Sequence, residues 1–237
     1  MTPRAFLTAE WRHLAMLNYA VDPSVLQRFV PSGVELDSFQ GTHYASMVGF
    51  RFQNVKIFGC AVPFHRNFDE VNLRFYVRRQ TPEGWRRGVV FIRELVPKRA
   101  IAVVAHAFYG EPYIALPMRH QNELSTTGIR VKYEWRFQGN WQFVSAAAKG
   151  PAKPIEAGSL EEFITEHYWG YTAQKVIRAE YQVEHPRWDV WTASEARLDA
   201  NVSELYGDTF RESLSSPPAS AFIADGSLVV VRRQSAF

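Results

Sequence analysis

Glu70-Val71-Asn72-Leu73-Arg74-Phe75-Tyr76-Val77-Arg78-Arg79 is the stretch that decides the fold. Val71, Leu73, Phe75 and Val77 fall on one side of it, and Glu70, Asn72, Arg74, Tyr76 and Arg78 on the other. Successive side chains of an extended chain point to opposite faces, so this alternation predicts a β-strand. Thr81-Pro82-Glu83-Gly84 follows as a turn, and Trp85 to Leu95 reads as the antiparallel partner strand.

On the N-terminal side, Thr42 to Ile57 is a long β run, and Gly59 to Asn67, which contains Pro63, reads as a loop. His13 to Val21 predicts a first strand. It stops at Asp22-Pro23, a cap followed by a first helical residue, and Val25, Leu26, Phe29 and Val30 then recur at helical spacing. Pro31-Ser32-Gly33 ends that helix, and Val34 to Asp37 begins a return strand. On the C-terminal side the period changes at Pro97. Ile101, Val104, Ala105 and Phe108 predict a helix from Pro97 to Gly110, with Lys98 and Arg99 in its first turn.

Tyr113 to Met118, Thr127 to Phe137 and Trp141 to Ala148 read as strands, the last two joined by a hairpin turn at Gly139-Asn140. Lys149 to Gly158 is a loop, and the capping box Ser159-Leu160-Glu161-Glu162 opens a short helix reaching Tyr168. Tyr171 to His185, Trp188 to Leu198 and Ala221 to Arg232 complete the strands, with a polar turn before the last. Many strands in hairpin order with a few short helices predict a mainly β (α+β) fold, residues 1–237 forming one domain. Its antiparallel sheet must curl or close, barrel-like, to hide its edges.

Hydrophobic residues make up 46% of the chain and charged residues 22%, the usage of an ordinary globular domain. The aromatic share, 14%, suits pleated surfaces and pocket walls. The net charge is +3, but the basic residues are scattered as pairs such as Arg78-Arg79, Arg86-Arg87 and Arg232-Arg233. A nucleic-acid footprint needs them clustered on one face, so no nucleic-acid partner is expected. Cys60 is the sole cysteine, which rules out an intrachain disulfide and a zinc site of several thiolates. Arg4, Glu10, Arg12 and His13 interrupt any signal peptide or membrane span near the start of the chain, so a cytoplasmic protein without a membrane partner is expected.

Two places carry candidate chemistry. Lys98 combines the positive end of the predicted helix with a neighbouring Arg99, an arrangement that favours a neutral, nucleophilic amine able to form a Schiff base with a ketone. The bland reading leaves Lys98 and Arg99 in solvent at a loop-helix junction. The face Glu70, Asn72, Arg74 and Tyr76 lines a cavity if the barrel closes, with Arg74 gripping a carboxylate and Glu70 acting as general base or as partner of Arg74. Asn72, a poor strand former, fits that reading when hydrogen-bonded. The bland reading is a solvent-facing strand with a cross-strand ion pair. The seven histidines show no metal-site spacing, and glycine-rich phosphate loops and Gly-x-Ser-x-Gly are absent, so no metal and no cofactor are expected. Glu35 with Asp37, and Glu161 with Glu162, are assigned no catalytic role.

Asn18-Tyr19 through Val21-Asp22-Pro23, then Leu26, Phe29-Val30-Pro31 and Leu36-Asp37, resemble the opening of acetoacetate decarboxylase-like proteins. Arg93-Glu94-Leu95-Val96-Pro97-Lys98-Arg99 is similar to the segment that carries the Schiff-base lysine in that superfamily. Glu70-Val71-Asn72-Leu73-Arg74-Phe75-Tyr76-Val77 and Tyr109-Gly110-Glu111-Pro112-Tyr113 resemble the YqjF-like family within it, a domain of unknown function. The resemblance implies an acetoacetate decarboxylase-like fold. It matches Lys98 to the Schiff-base lysine, Arg99 to that lysine's basic neighbour, Arg12 to an active-site arginine and Glu70 to one of two active-site glutamates. The other glutamate has no counterpart in Tyr44-Ala45-Ser46.

Two functions follow as expectations. One is a Schiff-base lyase of the decarboxylase type acting on a small oxo-acid, with Lys98 and Glu70 catalytic and Arg12, Arg74, Asn72, Tyr76 and Arg99 binding the substrate. The other is a noncatalytic module holding a small carboxylate through Arg74 and Tyr76, with Lys98 exposed. A homo-oligomer suits either, because unpaired strand edges associate.

Overall fold

The computed structural model of the protein describes residues 4–103, 110–173 and 178–237. In chain order the main strands begin with β1 (Ala5–Ala20), β2 (Tyr44–Ile57), β3 (Phe68–Thr81), β4 (Gly84–Val96) and β5 (Tyr113–Ala115). Then come β6 (Met118–Ser125), β7 (Gly128–Phe137), β8 (Asn140–Lys149) and β9 (Trp169–Ala173). The series ends with β10 (Arg178–Glu184), β11 (Asp189–Thr192), β12 (Glu195–Asp199) and β13 (Ser220–Arg232).

β1 pairs with both β13 and β2, β2 with β3, and β3 with β4. β9 runs parallel to β4 through Trp169↔Gly88, turns back as β10, and β10 reaches β13 through Val183↔Val231. The ring therefore closes into a barrel without free edges along this path. β12, β8, β7 and β6 form a separate four-stranded sheet laid against the outside of the barrel.

The alternation in β3 explains this layering. Val71, Leu73, Phe75 and Val77 are fully buried and pack against Val131, Tyr133, Trp135 and Val144 of the second sheet. Burying each such side chain stabilises the fold by about 1.5–3 kcal/mol relative to exposure. Gly49 of β2 marks the closest approach, since a Cβ there would lie 2.7 Å from Val144 Cγ1 and 2.8 Å from the Tyr133 ring. The opposite face of the barrel wall points inward, where Leu14, Val48, Phe50, Phe52, Phe68 and Trp188 form a second apolar cluster.

Several boundaries differ from those read in the sequence. β1 begins at Ala5, not His13, because it continues through a bulge at His13, which adopts φ 53° where the pairing with β2 shifts register between Arg12 and Ala15. Two pairings, β9 with β4 and β5 with β4, are parallel rather than antiparallel. The expected strand Tyr113 to Met118 is divided between the barrel and the outer sheet, and Trp188 to Leu198 likewise splits into β11 and β12. Tyr171 to His185 is a hairpin of β9 and β10, with residues 174–177 outside the described residues. The β7–β8 turn is Gln138-Gly139, not Gly139-Asn140, both residues having positive φ as a tight hairpin twisted to match its strands requires. β6, Met118-Arg119-His120-Gln121-Asn122-Glu123-Leu124-Ser125, is too polar and exposed to announce itself.

The first helix is the short Pro23–Gln27, capped by Asp22, whose Oδ1 accepts from the Ser24 amide at 2.8 Å. Half of the expected capping box forms, Ser159 Oγ accepting from Glu162 N at 3.2 Å, while the Glu162 carboxylate accepts from the Gly158 amide instead of that of Ser159, and the helix ends at Thr165. Residues 99–103 are helical, and the rest of the helix expected to Gly110 falls on 104–109, outside the described residues. The segment read as a polar turn holds two short helices, Val202–Tyr206 and Arg211–Ser215. Among the described residues no helix is long and apolar enough to cross a membrane.

Candidate functional site

The barrel encloses a cavity of about 230 Å³ whose wall is largely aromatic and aliphatic, including Trp11, Phe50, Phe52, Phe68, Phe91 and Trp188. Its polar side is built by lateral pairing of strands. Glu70, Asn72 and Arg74 stand two residues apart on the inward face of β3 and all line the cavity. Asn72 lies opposite Glu94 of β4, and Glu94 pairs in turn with Tyr113 of β5, two residues after Glu111. Asn72 Nδ2 donates to Glu70 Oε1 at 3.0 Å, and the Tyr113 hydroxyl donates to Glu70 Oε2 at 3.1 Å. The Tyr181 hydroxyl of β10 donates to Glu111 Oε1 at 2.9 Å.

Three carboxyls thus share one dry wall, Glu70 at 3%, Glu94 at 2% and Glu111 at 3% exposure. Burial pushes Glu70 up to about 7, against the hydrogen bonds from Asn72 and Tyr113 and the positive field of Arg74. Burial, then repulsion from Glu111 and Glu70, drives Glu94 well above the ordinary carboxylate range. Glu111 is raised well above it too, chiefly by burial. Glu94 and Glu111 are therefore biased toward the neutral acid, while Glu70 at neutral pH is poised between its two forms.

Arg74 is the only arginine in the cavity wall among the described residues. It forms no hydrogen bond or ion pair with a described residue, and its buried Nε has no partner. Its guanidinium carbon stands 6.0 Å from the centre of the Tyr76 ring.

The structure brings Glu70, Asn72 and Arg74 together and disperses the other residues singled out in the sequence. Tyr76 is buried but outside the cavity wall. Ser46 Oγ donates to Asn18 Oδ1 at 2.6 Å, so the Tyr76 hydroxyl, 2.6 Å from the same Oγ, is the donor to it. That chain, continued by Asn18 Nδ2 to Ser220 Oγ at 2.9 Å, fastens β3, β2, β1 and β13 together. Arg12 lies outside the cavity. The His13 bulge keeps Trp11 and Leu14 on the inner wall, while Arg12 pairs with Glu10 at 2.6 Å on the outside. Lys98 immediately precedes the helical residues 99–103, its carbonyl accepting from the Ile101 amide at 3.1 Å. Its ammonium donates to the carbonyl of Phe64, in the loop after β2, and does not reach the cavity wall. Arg99 is exposed.

Sequence reasoning assigned no role to Glu94, Glu111, Tyr113 or Tyr181. One signal was available: Arg93-Glu94 interrupts the otherwise apolar run Val89 to Val96. Asp37 also turns out to be engaged. It is buried and receives Arg87 Nε at 2.7 Å and His167 Nε2 at 3.2 Å. Burial opposes the ionised form of Asp37, yet the bonds from His167 and Arg87 prevail and hold its carboxyl at about 2. His167, in the cavity wall, is kept neutral by burial, which lowers it to about 4 against the pull of Asp37.

Among the described residues no group of three or more His, Cys, Asp or Glu side chains is arranged to hold a metal ion. Tryptophans are not gathered on the outer surface: Trp11, Trp169 and Trp188 line the cavity and Trp135 is fully buried.

Comparison with solved structures places the barrel among acetoacetate decarboxylase-like folds. Acetoacetate decarboxylase from Legionella pneumophila superposes with a TM-score of 0.67 at 14% identity, covering 100% of this chain and 88% of that one. The enduracididine biosynthesis enzyme MppR complexed with pyruvate gives 0.68 at 14% identity, over 100% and 91% of the two chains. An acetoacetate decarboxylase-like enzyme from Sphingomonas wittichii RW1 gives 0.69 at 13% identity, over 99% and 95%. At these identities the likeness establishes the fold alone. In sequence, the uncharacterized protein YqjF of Bacillus subtilis (strain 168) is 28% identical over 208 residues, 86% of this chain and 82% of YqjF. The match to the DUF2071 family, described as an uncharacterized conserved protein, extends over residues 8–227, and the chain belongs to that family.

Proposed function

We propose that the barrel cavity binds a small carboxylic acid, oxo-acids included, with Arg74 holding the carboxylate and Glu70 exchanging a proton beside it. The observation that carries this reading is an arginine in an apolar cavity with no ion-pair partner among the described residues. Arg74 is half-buried with its Nε enclosed; partial withdrawal of a guanidinium from water is costly unless it is paired, and a carboxylate supplies two parallel hydrogen bonds to it. Glu70, raised to about 7, would work near its own midpoint at neutral pH, the condition for efficient general acid-base exchange. A related fold that holds pyruvate in MppR lends support to a ligand of this size.

Calorimetric titration with small carboxylates tests the reading. Binding to wild type that weakens by roughly tenfold or more in Arg74→Gln, with Arg12→Gln unchanged, is expected. Equal affinity in wild type and Arg74→Gln would remove Arg74 from the site.

A lysine-dependent lyase is the second reading, favoured by the place of Lys98 at the rim. Ala100 and Ile101 beyond it, and Val62 and His65 flanking its partner Phe64, all line the cavity. For this chemistry the amine must leave the Phe64 carbonyl, lose a proton and attack the ligand ketone. Loss of water then gives an imine, whose protonated form accepts the electron pair released when carbon dioxide departs. Borohydride trapping with pyruvate, followed by intact mass measurement of wild type and Lys98→Ala, decides it. An adduct lost with Lys98 supports the lyase, and no adduct from an acid shown to bind supports the noncatalytic module.

A further inference from the structure

Besides Arg74 Nε, Trp11 Nε1 and His167 Nδ1, two buried oxygens on the cavity wall have no hydrogen-bond partner among the described residues, Asn72 Oδ1 and Glu94 Oε2. Both residues are 2% exposed. The Asn72 amide is oriented by its Nδ2, which is committed to Glu70 Oε1 at 3.0 Å, so the atom left facing the cavity is an acceptor and cannot donate. Glu94 stands directly across the ladder from Asn72, and side chains so paired begin about 5 Å apart. One ligand atom can therefore meet both. Arg74 is two residues further along the same face, about 7 Å away, the span of a carboxylate and its adjacent carbon with their hydrogen bonds.

This geometry sorts ligands by what stands beside their carboxylate. A keto oxygen can accept only from Glu94 in its acid form and in either case leaves Asn72 Oδ1 unmet. A hydroxyl donates to Asn72 and accepts from Glu94. An ammonium donates to both once Glu94 gives up its proton. We infer that the cavity is built for a carboxylic acid with a hydrogen-bond donor on the adjacent carbon, a 2-hydroxy or 2-amino acid, in preference to the 2-oxo acid of the same skeleton. The inference rests on the carboxylate-binding reading above and narrows its ligand class. The aromatic walls suit an apolar remainder.

Calorimetry on the wild-type protein tests it with matched sets: lactate, alanine and pyruvate, then 2-hydroxy-4-methylpentanoate, leucine and 4-methyl-2-oxopentanoate, each chiral acid as both enantiomers. The donor-bearing acid of a set should bind roughly tenfold or more tighter than the oxo-acid, the usual penalty for leaving a buried acceptor unpaired. Repeating the titration in buffers of different ionisation heat separates the sources, because the amino acid ejects a proton from Glu94 and the hydroxy acid does not. Asn72→Leu should shrink the preference to about threefold or less. Should that variant fail to fold, Glu94→Gln serves, retaining the hydroxy acid and losing affinity for the amino acid. An oxo-acid binding as tightly as its partners in wild type overturns the inference, and if Arg74→Gln still weakens that binding, the carboxylate reading stands. No binding by any of the acids overturns both.

Discussion

The two faces of β3 carry the same backbone and opposite burdens. Outward, Val71, Leu73, Phe75 and Val77 are fully buried against the second sheet and make no polar demand. Inward, Glu70 and Asn72 are buried and Arg74 half-buried, yet among the described residues they keep an unpaired, buried arginine Nε, an unpaired amide oxygen and a carboxyl raised to about 7. Stability accounts for the first face and works against the second. A protein that buries poorly satisfied polar groups on one side of a strand, while packing the other side tightly, is spending stability on a site.

Leu73→Ala breaks this comparison most severely. It opens a cavity between the two sheets and should cost about 2–5 kcal/mol in urea denaturation. The inward Arg74→Gln should leave the denaturation midpoint close to wild type or above it, because it deletes a half-buried charge with no ion-pair partner among the described residues. Equal loss from both would mean that the two faces are alike.

The second effect is a dependence of stability on pH. Glu70 binds its proton more tightly in the folded state, about 7 against an ordinary 4.5. Its contribution is therefore greatest in acid and is lost as pH rises between those values, and Glu94 and Glu111, raised by burial in the same direction, add to the decline. Asp37 and His167 oppose it from the acid side. His167, lowered from 6.5 to about 4, costs stability as pH falls through that interval. Asp37, lowered from 3.8 to about 2, adds a loss further down. Thermal melts from pH 5 to 9 should show Glu94→Gln gaining on wild type as pH rises, and an unchanged difference across that range would remove the buried-acid account of the wall.

The smallest effect belongs to Lys98→Ala. Among the described residues its ammonium bonds only an exposed loop carbonyl, so the change in stability should stay within about 0.5 kcal/mol by the same denaturation assay.

Legibility in the sequence follows the same division. Glu70, Asn72 and Arg74 could be placed together because a strand's alternation fixes which side chains share a face, whatever the neighbouring strands do. Glu94, Glu111, Tyr113 and Tyr181 come from separate segments and meet only through lateral pairing, which no local period records. Arg12 moved outward because a bulge at His13 shifts the alternation, and Lys98 turned to Phe64 because a loop distant in sequence offers it a carbonyl. The barrel's closure was legible from the number of hairpin strands. The outer strand β6 and the helices Val202–Tyr206 and Arg211–Ser215 were not, being polar or too short to show a period.

The measurement that bears most directly on the inward face is the arginine Nε–H spectrum of ¹⁵N-labelled protein during titration with a small carboxylate, with the Arg74 signal identified by its loss in Arg74→Lys. The Arg74 resonance should shift in a saturable way while that of Arg12 stays in place. A carboxylate that binds without moving the Arg74 signal, or that moves the Arg12 signal instead, would contradict the assignment of this cavity wall as the site.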